Sequence, residues 1–147
     1  MEQLIQILKE LLANTVALKF KAHGYHWNVE TDDFPQYHDF FADIYSDYDS
    51  AIDPLAEWIR MIDINSYAPF KLSRFAALST IPETEVTAEH SAMAADLKIA
   101  NDMMIEKYAS AGELATNMKQ YGLANFFGDR QTMHQKWSSQ LGALVRS

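Results

Sequence analysis

Residues 34–62 read FPQYHDFFADIYSDYDSAIDPLAEWIRMI, from Phe34 to Ile62. The stretch is predicted to form one long helix. Asp33 can cap its start, and Pro35 sits acceptably in the first turn. Pro54 lies deep inside. A proline there removes the backbone donor to Ser50, which argues for ending the helix at Ile52. Leu55, Trp58 and Ile59 carry the apolar face onward, so the helix is read as kinked and continuous. On a wheel of 100° per residue, His38, Ala42, Tyr45, Asp49, Asp53 and Ala56 share one stripe.

Working outward, three more long helical patterns appear. The first spans Met1 to Asn28, where Leu4, Leu8, Leu11, Thr15, Leu18 and Ala22 alternate steps of four and three beside Ile5 and Leu12. Asp63 to Glu85 forms a long connection with Pro69, Pro82 and a short helical piece, Phe70 to Leu78. A third helix, capped by Thr84 or Thr87, runs to Met118 with Met93, Leu97, Ala100, Met104, Tyr108 and Ala111 inward. Gly122 ends a short turn. A fourth runs from Leu123 to Val145 with Phe126, Met133, Trp137, Leu141 and Leu144 inward. A long crossover suits a bundle whose second and third helices run parallel. The expectation is a single all-α domain over residues 1–147, a four-helix bundle with a short helix in the crossover between helices two and three.

The 147 residues suffice for a real core without staples. The absence of cysteine excludes disulfides, iron–sulfur clusters, thiolate zinc sites and cysteine nucleophiles. No basic segment followed by an apolar run opens the chain, and no apolar stretch approaches membrane-spanning length, so a cytoplasmic protein is expected. Net charge is −8, of 20 acids in all. Ten of these (Glu30, Asp32, Asp33, Asp39, Asp43, Asp47, Asp49, Asp53, Glu57 and Asp63) lie between Val29 and Asp63, where Arg60 is the one base. Such a segment is either a solvated helix face or a field that gathers cations, and it is unsuited to gripping a phosphate backbone.

His26, His38, Asp53 and Glu57 are the candidate ligands. Imidazole nitrogen with carboxylate oxygen suits iron, manganese or zinc. Asp53 and Glu57 are i,i+4 neighbours able to point at one ion. His38 and Asp53, however, stand roughly 22 Å apart at 1.5 Å per residue, too far for one ion. Either the stripe is simply a core face, or the two halves come from different chains. In a two-fold dimer with antiparallel second helices, His38 of one chain meets Asp53 of the other and the site appears twice. His23, one turn before His26, reads as an interface histidine or an outer ligand. His90 reads as a surface residue and His134 as a packing histidine. The methionines, Trp58 and Trp137 read as packing or interface anchors.

His23-Gly24-Tyr25-His26-Trp27-Asn28-Val29, Phe34, His38, Tyr45 and Asp53-Pro54-Leu55-Ala56-Glu57 together resemble the Dps family, the mini-ferritins named as DNA-binding proteins from starved cells. The likeness covers nearly the whole chain in helix order and length, including the His134-Gln135-Lys136-Trp137 stretch. It implies a hollow twelve-subunit shell built from two-fold dimers. Such a shell would be a ferroxidase, oxidising ferrous iron, preferentially with hydrogen peroxide, at dimer interfaces and storing ferric mineral against oxidative damage. His26 and His38 would ligate iron from one subunit, with Asp53 and Glu57 from its partner, and Trp27 and Tyr45 nearby as redox-active aromatics. An ordinary diiron ferritin would carry Glu-x-x-His pairs, and no Glu-x-x-His occurs in the chain.

The chain also departs from the family pattern. Ala42 stands where a further acidic ligand is usual. Asp43 points about 100° away from that position. Asp49, on the His38 stripe, is the candidate to compensate across the dimer contact. The usual Glu-Arg is Glu57-Trp58, and Pro54 is unusual. A thinned site could hold zinc or nothing and serve sequestration or scaffolding. Residues 118–125, Met118 to Asn125, carry one lysine and no acid, against the aspartates that line many members' entry pores. With pI near 4.9 and no lysine-rich tail, DNA binding is expected to be weak or absent.

Overall fold

A computed structural model describes residues 1–146, which form six helices: α1 (Glu2–Asn28), α2 (Phe34–Ser50), α3 (Ile52–Ile62), α4 (Leu72–Leu78), α5 (His90–Asn117) and α6 (Tyr121–Arg146). Helices α1, α2 with α3, α5 and α6 make the four-helix bundle, and α4 lies in the crossover. The predicted α1 and α5 stripes are buried at every named position, from Leu4 to Ala22 and from Met93 to Ala111. Apolar side chains at steps of three and four leave water together only on a helix, and that burial drives the packing.

The kinked helix expected over residues 34–62 is a bent, joined pair, α2 and α3. Ala51 separates them, with φ −87° and ψ −15°, and its N–H turns back to Tyr48 and Asp49. Pro54 cannot donate to Ser50, so the ladder lapses there and resumes as Leu55 N–H reaches the Ala51 carbonyl at 3.1 Å. The buried face also differs from the predicted stripe. Phe41, Ile44 and Tyr48, then Ala51, Leu55 and Ile59, fill the core. His38, Ala42 and Tyr45 are half-buried, and Asp49 and Asp53 are exposed. The stripe is therefore not a core face of this chain.

Other helix ends are corrected as well. Asp33 takes the N-cap position of α2 without a side-chain cap bond. The cap of α5 is Glu89, not Thr84 or Thr87, and its carboxylate accepts from the N–H groups of Ser91 and Ala92 at 3.0 Å each. The crossover helix starts at Leu72 rather than Phe70. Asn14, fully buried on α1, pins the crossover by accepting the Thr80 N–H at 2.8 Å. In α6 the register places Leu123, Phe127, Arg130, His134, Trp137 and Leu141 inward, whereas Phe126 and Met133 are half-buried.

The turn before α6 depends on Lys119 rather than Gly122. Lys119 has φ +60°, the left-handed conformation, and Gln120 N–H closes the helix end on the Ala115 carbonyl at 2.8 Å. A Cβ pays a steric penalty there that glycine avoids. Lys119→Gly is expected to raise stability by about 0.5–1 kcal/mol, read as a higher urea midpoint at unchanged slope.

Candidate metal centre

The last turn of α1 and the first turns of α2 face each other across the Val29–Asp33 connection. His26 Nδ1 lies 2.6 Å from the His38 carbonyl oxygen, and His38 Nδ1 lies 2.7 Å from the His26 carbonyl oxygen. A carbonyl only accepts, so each Nδ1 carries the proton and donates. In its neutral form each ring then holds its lone pair on Nε2, and backbone groups fix the tautomer as they commonly do for metal-ligating histidines. The rings stack with centroids 3.6 Å apart and planes 19° from parallel. An ion bound in the plane of one ring therefore lies outside the plane of the other. In this arrangement His26 and His38 address separate positions.

Around them stands an aromatic group. Phe34 stacks on His38 at 4.8 Å. His23 stacks on Tyr45 at 4.1 Å and packs against Trp27 at 4.2 Å. Burial, then the neighbouring His26 and Lys19, push the His23 imidazole below its ordinary pKa, with Asp49 acting weakly the other way. Trp27 itself is 60% exposed.

The carboxylates lie elsewhere. Asp53 and Glu57 are exposed on α3, and neither makes a hydrogen bond or ion pair among the described residues. Asp49, the candidate to compensate for Ala42, pairs through Oδ1 with Lys19 Nζ at 2.7 Å in an exposed ion pair. Among the described residues of one chain, no three histidine or acidic side chains close on an ion. The donors fit a metal in kind, but one chain brings together only the histidine half.

The bundle interior is closed to metal by different means. Arg130 donates to both Asp47 oxygens at 2.9 and 3.0 Å, and Trp137 Nε1 donates to Asp47 at 2.8 Å. Fully buried Asn101 takes the Tyr48 hydroxyl at 2.7 Å, lies 2.8 Å from His134 Nδ1, and donates to the His134 carbonyl at 2.8 Å. Burial raises the Asp47 carboxyl, but the Arg130 hydrogen bonds and charge outweigh it and hold Asp47 below the usual range. In the sequence the trace of this network is Arg130 on the apolar spacing of Leu123, Phe127 and Trp137, since a charge at a core position demands a partner.

Burial, then the Arg130 charge, push the His134 imidazole down to about 3. The folded state thus keeps it neutral while the unfolded chain protonates near 6.5. The resulting stability is whole above pH 6.5 and is lost as pH falls toward 3, at about 1.4 kcal/mol per pH unit. Urea midpoints between pH 7.5 and 5.5 should fall in the lower part of this range, and His134→Gln should flatten the decline.

A family model described as a ferritin-like domain matches residues 5–147. The chain is 34% identical over 86 residues to the DNA protection during starvation protein of Helicobacter pylori, a match covering 58% of each chain. It is 30% identical over 132 residues to general stress protein 20U of Bacillus subtilis, covering 89% of this chain and 83% of that one. The crystal structure of a Dps protein from Vibrio cholerae, described as a member of a broad superfamily of ferritin-like diiron-carboxylate proteins, superposes with a TM-score of 0.90 at 24% identity, over 98% of this chain and 89% of that one. The chain belongs to the ferritin-like proteins and, within them, to the Dps family. None of its described helices is long and apolar enough to cross a membrane.

Proposed function

We propose that the protein oxidises ferrous iron at sites shared between two-fold-related copies and stores the ferric product inside a hollow oligomer, a dodecamer by family resemblance. One observation carries this reading. His26 and His38 lock each other's tautomers and leave both Nε2 lone pairs for metal, while Asp53 and Glu57 stand exposed beyond the reach of those rings in the same chain. A second copy would bring carboxylates to imidazoles and relieve the repulsion between two like charges one helical turn apart. The description of the Vibrio cholerae relative as a diiron-carboxylate protein agrees with two ion positions.

Iron is the substrate. Two ferrous ions each lose one electron to one hydrogen peroxide. Its O–O bond breaks, and the two oxygens leave as two hydroxides that the ferric product takes up. The neutral imidazoles hold the ferrous ions, and the carboxylates favour the trivalent product through charge. Trp27 and Tyr45, packed on His23, lie close enough to the histidines to intercept stray oxidising equivalents. The protein works in the cytoplasm and protects against oxidative damage by consuming iron and peroxide together.

Peroxide-driven oxidation of ferrous iron, followed by ferric absorbance, should be rapid in the wild type and fall to the buffer rate in the double variant His38→Ala, Asp53→Ala. Equal rates in the two proteins would sink the assignment. A second reading, metal sequestration by a shell whose centre holds zinc or nothing, is favoured specifically by Ala42 and by the acid-free stretch before α6. Metal analysis of the purified oligomer separates the two, with iron expected.

The acidic chain is expected to bind DNA weakly or not at all at physiological salt, since a phosphate backbone needs clustered lysine and arginine. A gel-shift titration at moderate salt without magnesium should show no tight complex.

A further inference from the structure

We propose that His23 is a metal-binding residue, sharing one divalent cation with His26, while His38 serves a second cation. The inference rests on the histidine half-site of the proposed function and extends it. Three observations carry it. His23 and His26 are i,i+3 neighbours on α1, the spacing at which helical side chains lie side by side. Their ring centroids are 6.1 Å apart with planes tilted by 36°. A metal–nitrogen bond of about 2.1 Å places a ring centre about 3.2 Å from the ion, so two rings on one ion have centres within about 6.4 Å. His23 and His26 fall within that limit, at a separation that calls for a wide N–metal–N angle, whereas the near-parallel stack of His26 on His38 at 3.6 Å does not suit one shared ion.

Ala42 has no donor, Asp43 points away from the stripe, and Asp49 shares one oxygen with Lys19 in an exposed ion pair. The His23 ring makes no hydrogen bond among the described residues, yet Tyr45 stacks on it and Trp27 packs against it at a tilt. Packing thus orients the ring while its nitrogens, which lie on the ring edge, remain available. A centre with this extra imidazole is richer in nitrogen than the resemblance alone implies. It favours borderline divalent ions over hard ones.

The test uses the assembled protein, stripped of metal and titrated with cobalt(II), with visible absorbance and zinc competition as readouts. His23→Phe keeps a flat ring against Tyr45 and Trp27 but removes the nitrogens. His23→Gln serves as a second variant should the first fail to assemble. Either is expected to weaken cobalt binding about tenfold or more and to change the visible bands, with the oligomer unchanged by size exclusion. Wild-type affinity and spectrum in both variants would overturn the role of His23. His26→Ala separates the failures. Binding lost with His26→Ala but kept with His23→Phe overturns this inference alone. Binding indifferent to His26→Ala overturns the half-site itself, and this inference with it.

Discussion

Asp47 accepts three N–H bonds in the bundle interior, two from Arg130 and one from Trp137. This carboxylate ties α2 to α6 across the core. Removing two charges from water costs several kcal/mol each, and the arrangement is tolerable only because the bidentate geometry and the indole saturate the acid. His134 and Asn101 extend the network to α5, and Arg130 Nε is left without a hydrogen-bond partner within it. Arg130 cannot give up its proton, so it is a permanent internal cation, and a metal ion beside it would meet direct repulsion. The interior of this bundle is thereby committed to structure, and donors able to take a metal are pushed to its surface.

That displacement shapes the candidate centre. The end of α1 and the start of α2 meet at a short connection, and the two imidazoles fasten it by donating to each other's backbone. The same hydrogen bonds set tautomer, ring orientation and the free lone pair, so folding this corner prepares half of the chemistry. The lapse of the helix at Ala51, caused by Pro54, starts α3 as a separate element with Asp53 and Glu57 on its outer surface. In the proposed function these two halves meet only between copies, so assembly and reaction depend on one contact.

Legibility in the sequence followed how strongly each element relies on apolar periodicity. α1 and α5 present unbroken stripes, and every inward position could be read. α6 could be recognised as a helix but not phased, because Arg130 and His134 occupy core positions that a hydrophobicity argument assigns to water. The course of residues 34–62 was ambiguous because the cost of Pro54 is local, while the gain from burying Leu55 and Ile59 accrues whether the helix kinks or breaks. The cap of α5 was misplaced because Glu89 does a task that short hydroxyl residues more often perform. The missing acid at position 42 was plain from Ala42, yet the pairing of Asp49 with Lys19, thirty residues away in sequence, was not.

By itself the sequence determined an all-helical bundle, the residue types of a candidate metal centre and the impossibility of joining His38 to Asp53 on one ion within one helix. These follow from periodicity, donor chemistry and helical rise, which are properties of local chain. Tertiary structure alone decided which face of α2 is buried, which nitrogen of each histidine is free, which acids are already paired and which polar side chains fill the core. These depend on contacts between residues far apart in the chain, where hydrogen-bond direction and desolvation, rather than spacing, select the partner.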